Sequence, residues 1–132
     1  MFVRPTVFQG GFQRPARVGD GMMANPLITT IATAGSLTMP VAGVLGGIIQ
    51  YTGAAGAVAY TLPLAADLIA AMPDMDIGDS YMFIMVNTAA QNATITTNTG
   101  ITLSGNSAVV NASRAFIVLT KTSATTMNAV VL

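Results

Sequence analysis

From Leu27 onward the chain alternates short apolar runs with turn residues. "LITTIATA", "GSLTMPV" and "GGIIQYTG" are rich in β-branched side chains and bounded by Gly or Pro, which predicts strands; "AVAYTLP" continues the series to Pro63. There the period changes. In "PLAADLIAAM", Leu64, Leu68, Ile69 and Met72 recur at helical spacing, with Pro63 at a first helical position and Pro73 beyond the end. This predicts one short helix. After the turn "PDMDIGD", the run "SYMFIMVNT" is apolar at both parities, the pattern of a strand buried on both faces. "NATITTNTGITLSGN" interleaves Ile95, Ile101 and Leu103 with Thr, and "SAVVNASRAFIVLTKTSATTMNAVVL" supplies two or three further strands to Leu132.

Turn signals at about 8–12-residue spacing predict a mainly β fold, a β-sandwich or jelly-roll-like barrel with one short helix capping an end. Thr on the outward strand faces keeps β propensity while replacing charge, and flat faces of this type pack well on other sheets. Residues 1–25 break the pattern. Pro5, Pro15 and four Gly argue against a helix, so an extended N-terminal arm over 1–25 precedes a single β-rich domain over 26–132.

Composition sharpens this picture. Hydrophobic residues make up 52% of the 132 and charged residues 8%, with a formal net charge of +0. An ordinary soluble domain carries about 25% charged residues. No charge stands between Asp20 and Asp67. Such a surface suits a subunit that faces other protein, hence an oligomer or assembly. The uncharged window holds Gly43, Gly46, Gly47, Gly53 and Gly56 between Pro40 and Pro63, which speaks against a spanning helix; a small membrane protein is the last of three alternatives.

The inventory of reactive groups is thin. Cys, His and Glu are absent, which removes thiolate chemistry, the commonest general base and the commonest metal ligand. No catalytic residue, cofactor site or metal site is expected, and the chain is read as no enzyme. Asp74, Asp76 and Asp79 in "DMDIGD" miss the calcium-loop pattern, because Gly78 stands at the fifth position where a ligand is needed. They read as a helix-to-strand turn with local backbone hydrogen bonds. The glycine clusters "GVLGG" and "TGAAG" lack the partners of a phosphate loop and read as turns. The nine Met form no ligand-like array and read as gap fillers in a core or interface.

The arm concentrates the candidate binding residues. Phe2, Phe8 and Phe12 interleave with Arg4, Arg14 and Arg17, and aromatics with Arg are the types enriched at interface hot spots. Three Arg on a chain of no net charge make a weak nucleic-acid footprint, so a protein partner is expected instead.

The segment from about Leu45 to Lys121, a little over half the chain, resembles a module of tailed-bacteriophage structural proteins. The matching motifs are Thr61-Leu62-Pro63 running into an Ala-rich helix, Gly78-Asp79-Ser80, Asn87-Thr88, and Thr99-Gly100 through Gly105-Asn106. In that family the module occurs in head decoration (cement) proteins and in fibres. The resemblance implies a decoration protein on the outer capsid surface of the virion, made in the host cytoplasm. It would be a homotrimer that stabilises the major capsid protein lattice, without nucleic acid or membrane as partner. A fibre or host-recognition module is the alternative.

Overall fold

The computed structural model describes residues 26–33, 35–53 and 57–132. The elements in chain order are β1 (Leu27–Ile31), β2 (Leu37–Thr38), α1 (Val41–Gly46), β3 (Gly47–Tyr51), β4 (Val58–Thr61), α2 (Ala65–Ala71), β5 (Ser80–Asn87), β6 (Ala93–Thr96), β7 (Ile101–Gly105), β8 (Ala108–Val109), β9 (Ser113–Lys121) and β10 (Met127–Val131). The fold is mainly β, as the turn spacing predicts. A six-stranded sheet, ordered β1-β3-β5-β9-β10-β7, faces a four-stranded sheet, ordered β2-β4-β6-β8.

Successive strands from β1 to β8 alternate between the two sheets. Parallel neighbours need a long crossover, and here each crossover runs through the opposite sheet. Thus β1, β3 and β5 are parallel neighbours in one layer, and β2, β4 and β6 in the other. The first half of the chain therefore winds like a coil of two-sheet turns. The register exposes an internal repeat: Leu37 lies beside Tyr60 and Thr38 beside Thr61, so "LTMP" and "YTLP" run side by side, each followed by a helix and a strand of the large sheet. The second half departs from the coil. β9 is antiparallel to both β5 and β10, β7 is parallel to β10, and β8 is antiparallel to β6.

Two helices are present among the described residues, where the sequence predicts one. The helix expected in "PLAADLIAAM" starts at Ala65, two residues past Pro63, and buries Ala65 and Leu68. The additional one, α1, was expected to be strand and turn because "VAGVLG" has poor helix propensity. Six residues cannot hold a helix by themselves, so packing supplies the stability. Val44 is fully buried, Gly47 closes the helix at φ 97, and the Tyr81 hydroxyl donates to the carbonyls of Val44 (3.1 Å) and Leu45 (2.7 Å).

The core lies between the sheets. Ile49, Tyr51, Phe83, Met85, Ile117 and Leu119 descend from the large sheet onto Val58, Tyr60, Ala93, Ile95 and Val109 of the small one, with Leu68 and Met72 closing one side. Tyr51 and Tyr60 meet edge to face with ring centroids 4.9 Å apart. Neither buried hydroxyl has a hydrogen-bond partner among the described residues. Burial, and then the neighbouring Tyr51, push the Tyr60 hydroxyl far above the ordinary tyrosine pKa. Tyrosine hydroxyls aside, Asn87 is the one buried polar side chain among the described residues, and each of its polar atoms is bonded.

Candidate interaction surface

The large sheet is apolar on its inner face and along the centre of its outer face, and this property is built residue by residue. In β5, Tyr81, Phe83, Met85 and Asn87 point inward and are buried; Met82, Ile84 and Val86 point outward. In β9, Ala115, Ile117 and Leu119 point inward, and Phe116 and Val118 outward. Period-2 alternation then places the outward residues of neighbouring strands in rows.

One row crosses five strands: Ile28 (β1), Ile48 (β3), Ile84 (β5), Phe116 (β9) and Leu132, which extends β10 through paired backbone hydrogen bonds with Phe116. The next row holds Met82, Val118, Val130 and Ser104. Ile28 and Leu132 are 61% and 69% exposed, and Met82 and Val130 about two-fifths. These two apolar rows lie between polar ones. Thr30, Gln50, Val86 and Arg114 form the row on one side, and Ser80, Thr120, Asn128 and Thr102 the row on the other. Arg114 is the single charged residue in these four rows.

The outer face of the small sheet is different. Thr38, Thr61 and Thr96 align across β2, β4 and β6, beside Ala59, Thr94 and Ala108, and the hydroxyls of Thr61 and Thr96 are 2.9 Å apart. The Thr-covered strand face expected from the sequence is found here, whereas on the large sheet Thr is confined to the flanking rows and apolar residues fill the centre.

The expected partner-binding residues Phe2, Arg4, Phe8, Phe12, Arg14 and Arg17 lie outside the described residues. The acidic loop is a turn. The Asp79 carboxylate accepts from the Asp76 backbone N–H at 2.9 Å, Gly78 takes φ 97, and the Gly78 N–H donates to the Lys121 carbonyl at 2.8 Å. Lys121 in turn donates from Nζ to the Met75 carbonyl at 2.8 Å, which ties the loop to the end of β9. Among the described residues no group of three or more His, Cys, Asp or Glu side chains is placed to hold a metal ion. No helix among them is long and apolar enough to cross a membrane, and the uncharged window from Val41 to Pro63 becomes α1, β3 and β4.

No family model matches the chain, and no curated protein or solved structure is significantly similar to it.

The residues of the apolar rows were not singled out as a site from sequence. The signal was nonetheless present, because "SYMFIMVNT" reads as a strand covered on both faces. The small sheet covers one face; on the other, Met82 is exposed and Ile84 and Val86 are half-buried, so the expected burial on both faces is found on one.

Proposed function

We propose that this chain is a decoration (cement) protein of a tailed-bacteriophage head, which binds the major capsid protein on the outer surface of the capsid. One observation carries the reading: a small β-sandwich presents an apolar, almost uncharged outer sheet face. That is the surface of a subunit suited to lasting contact with protein. The motifs behind the resemblance all serve the fold. Thr61-Leu62-Pro63 leads β4 toward α2, Gly78 turns the chain into β5, and Gly100 at φ 84 and Gly105 at φ 92 bracket β7.

In this reading function is binding free energy alone. Many modest contacts are multiplied by valency, so that an oligomer engaging several lattice sites holds on where one contact would not. Residues 1–25 contribute Phe2, Phe8, Phe12, Arg4, Arg14 and Arg17 as anchors on the capsid. The test is stoichiometry in purified particles. A copy number close to that of the major capsid protein supports decoration, because only the lattice offers so many equivalent sites. A handful of copies per particle moves the assignment to a fibre or vertex, and absence from particles refutes the reading.

A further inference from the structure

We propose that the outer face of the six-stranded sheet is the surface on which a second copy of this chain docks, like face on like face about a two-fold axis. The inference rests on the structural-subunit reading and deepens it by naming the self-association surface.

The size of the face is the first argument. Six strands at about 4.8 Å spacing and an outward run from Arg114 to Thr120 at about 3.3 Å per residue give a plan area of about 600 Å². Side-chain relief raises the accessible area above that figure. It then approaches the roughly 800 Å² per partner of stable protein interfaces. The layout is the second argument. The central rows, Ile28-Ile48-Ile84-Phe116-Leu132 and Met82-Val118-Val130, are apolar, and Thr30, Gln50, Ser80, Thr120 and Asn128 form a polar border. An apolar centre with a polar rim is the anatomy of a protein interface.

Charge identifies the occupant. With Arg114 alone at one margin, the face holds no charge pattern for an acidic or basic partner to complement. What fits it is another apolar sheet face with almost no charge, and this chain supplies one. Two such faces pack about 10 Å apart with strands nearly aligned, as the layers of a sandwich do. A two-fold contact covers the whole face in both copies. The three-fold arrangement expected from the resemblance would turn each face partly away from its neighbours.

The test is sedimentation equilibrium of the full chain at several concentrations. The expected mass is twice the chain's 13.5 kDa. Val118→Glu in the centre of the face should weaken pairing at least about 100-fold, since it sets an unpaired charge in an apolar contact. Met82→Glu, at a more exposed position, should do the same with less demand on the fold. Thr94→Glu on the outer face of the small sheet should leave the mass unchanged. Circular dichroism and a melting curve verify that each variant is folded. A wild-type monomer at every concentration, a three-chain mass, or pairing that survives both Val118→Glu and Met82→Glu would overturn the proposal. Particles that keep full occupancy with a monomeric wild type would overturn the pairing alone. A paired protein that is absent from particles would overturn the decoration reading alone.

Discussion

Replacing Asn87 by alanine removes a polar bracket that joins three segments at one end of the sandwich. The side chain is fully buried. Its amide donates to the carbonyls of Gln91 and Val109, each at 2.8 Å, and its carbonyl oxygen accepts from the Ala89 N–H at 3.0 Å. It thereby ties the end of β5 to the β5–β6 loop and to β8. A typical hydrogen bond contributes about 1 kcal/mol, and a buried group left without its partner costs about 1–3 kcal/mol. The Val109 and Ala89 bonds are buried, while the Gln91 carbonyl lies nearer solvent and can recover water. The expected loss for Asn87→Ala is therefore about 3–5 kcal/mol, a drop in melting temperature of roughly 10–20 °C for a chain of this size. Asn87→Asp keeps the volume but turns a carboxylate oxygen toward the same two carbonyls, so its loss should be equal or greater. Thr94→Ala, exposed on the outer face of β6, is the control and should stay within about 0.5 kcal/mol. Melting curves by circular dichroism, taken at one protein concentration because self-association would shift them, measure all three. An Asn87→Ala protein within about 1 kcal/mol of wild type would refute the bracket.

Gly105 stands at φ 92, and a Cβ built on it would run into the carbonyl oxygen of Val131, its partner across the β7–β10 ladder. Gly105→Ala should therefore destabilise by more than about 2 kcal/mol in urea denaturation, and a neutral result would mean that the β7 edge is not fixed there. Ala112 takes φ 57 in the turn before β9, a conformation that costs an L-residue about 1 kcal/mol, so Ala112→Gly should raise the melting temperature by a few degrees. Tyr60 has a buried hydroxyl with no partner among the described residues, so Tyr60→Phe should be neutral or stabilising by about 1 kcal/mol at pH 7. The fold also raises the proton affinity of the Tyr60 and Tyr81 hydroxyls through burial, with Tyr51 adding to the shift at Tyr60. Stability from these groups is then fully present below about pH 10, where unfolded tyrosine ionises, and falls as pH rises beyond it. Denaturation followed from pH 8 to 12 should show that fall, with a shallower slope in Tyr60→Phe; an unchanged slope would contradict the assignment.

The strands were legible because β-branched runs bounded by Gly and Pro have few alternatives. The helix α2 was legible because Leu68, Ile69 and Met72 keep its period. The helix α1 was hidden, since "VAGVLG" has no amphipathic stripe and owes its form to tertiary contacts, above all the Tyr81 hydroxyl supplied from 36 residues along the chain. The coil was hidden for a different reason. "LTMP" and "YTLP" are short, and the helices and loops after them differ in length, so the repeat emerges only when Thr38 and Thr61 are seen side by side. The outer face of the large sheet was half legible. Both parities of "SYMFIMVNT" are apolar, but which strands continue each row is a matter of sheet order, and β9 and β10 reach β5 only through antiparallel pairings far along the chain.

The contrast between the two outer faces argues for what the sandwich is built to meet. Both are sheet surfaces almost free of charge, so charge does not distinguish them. The small sheet ends outward in Thr and Ala, and hydroxyls such as those of Thr61 and Thr96 can exchange bonds with water or with each other at little cost. The two central rows of the large sheet end outward mostly in Ile, Phe, Val, Leu and Met, for which water offers nothing. A monomer would gain by carrying Thr on both faces, since Thr fits a strand as well as Val does. Apolar residues at Ile48, Ile84, Phe116 and Val118 put apolar surface toward the outside without filling the internal core. Covering the face would offset the cost of that exposure, so the asymmetry between the two sheets supports the proposed pairing through the large one.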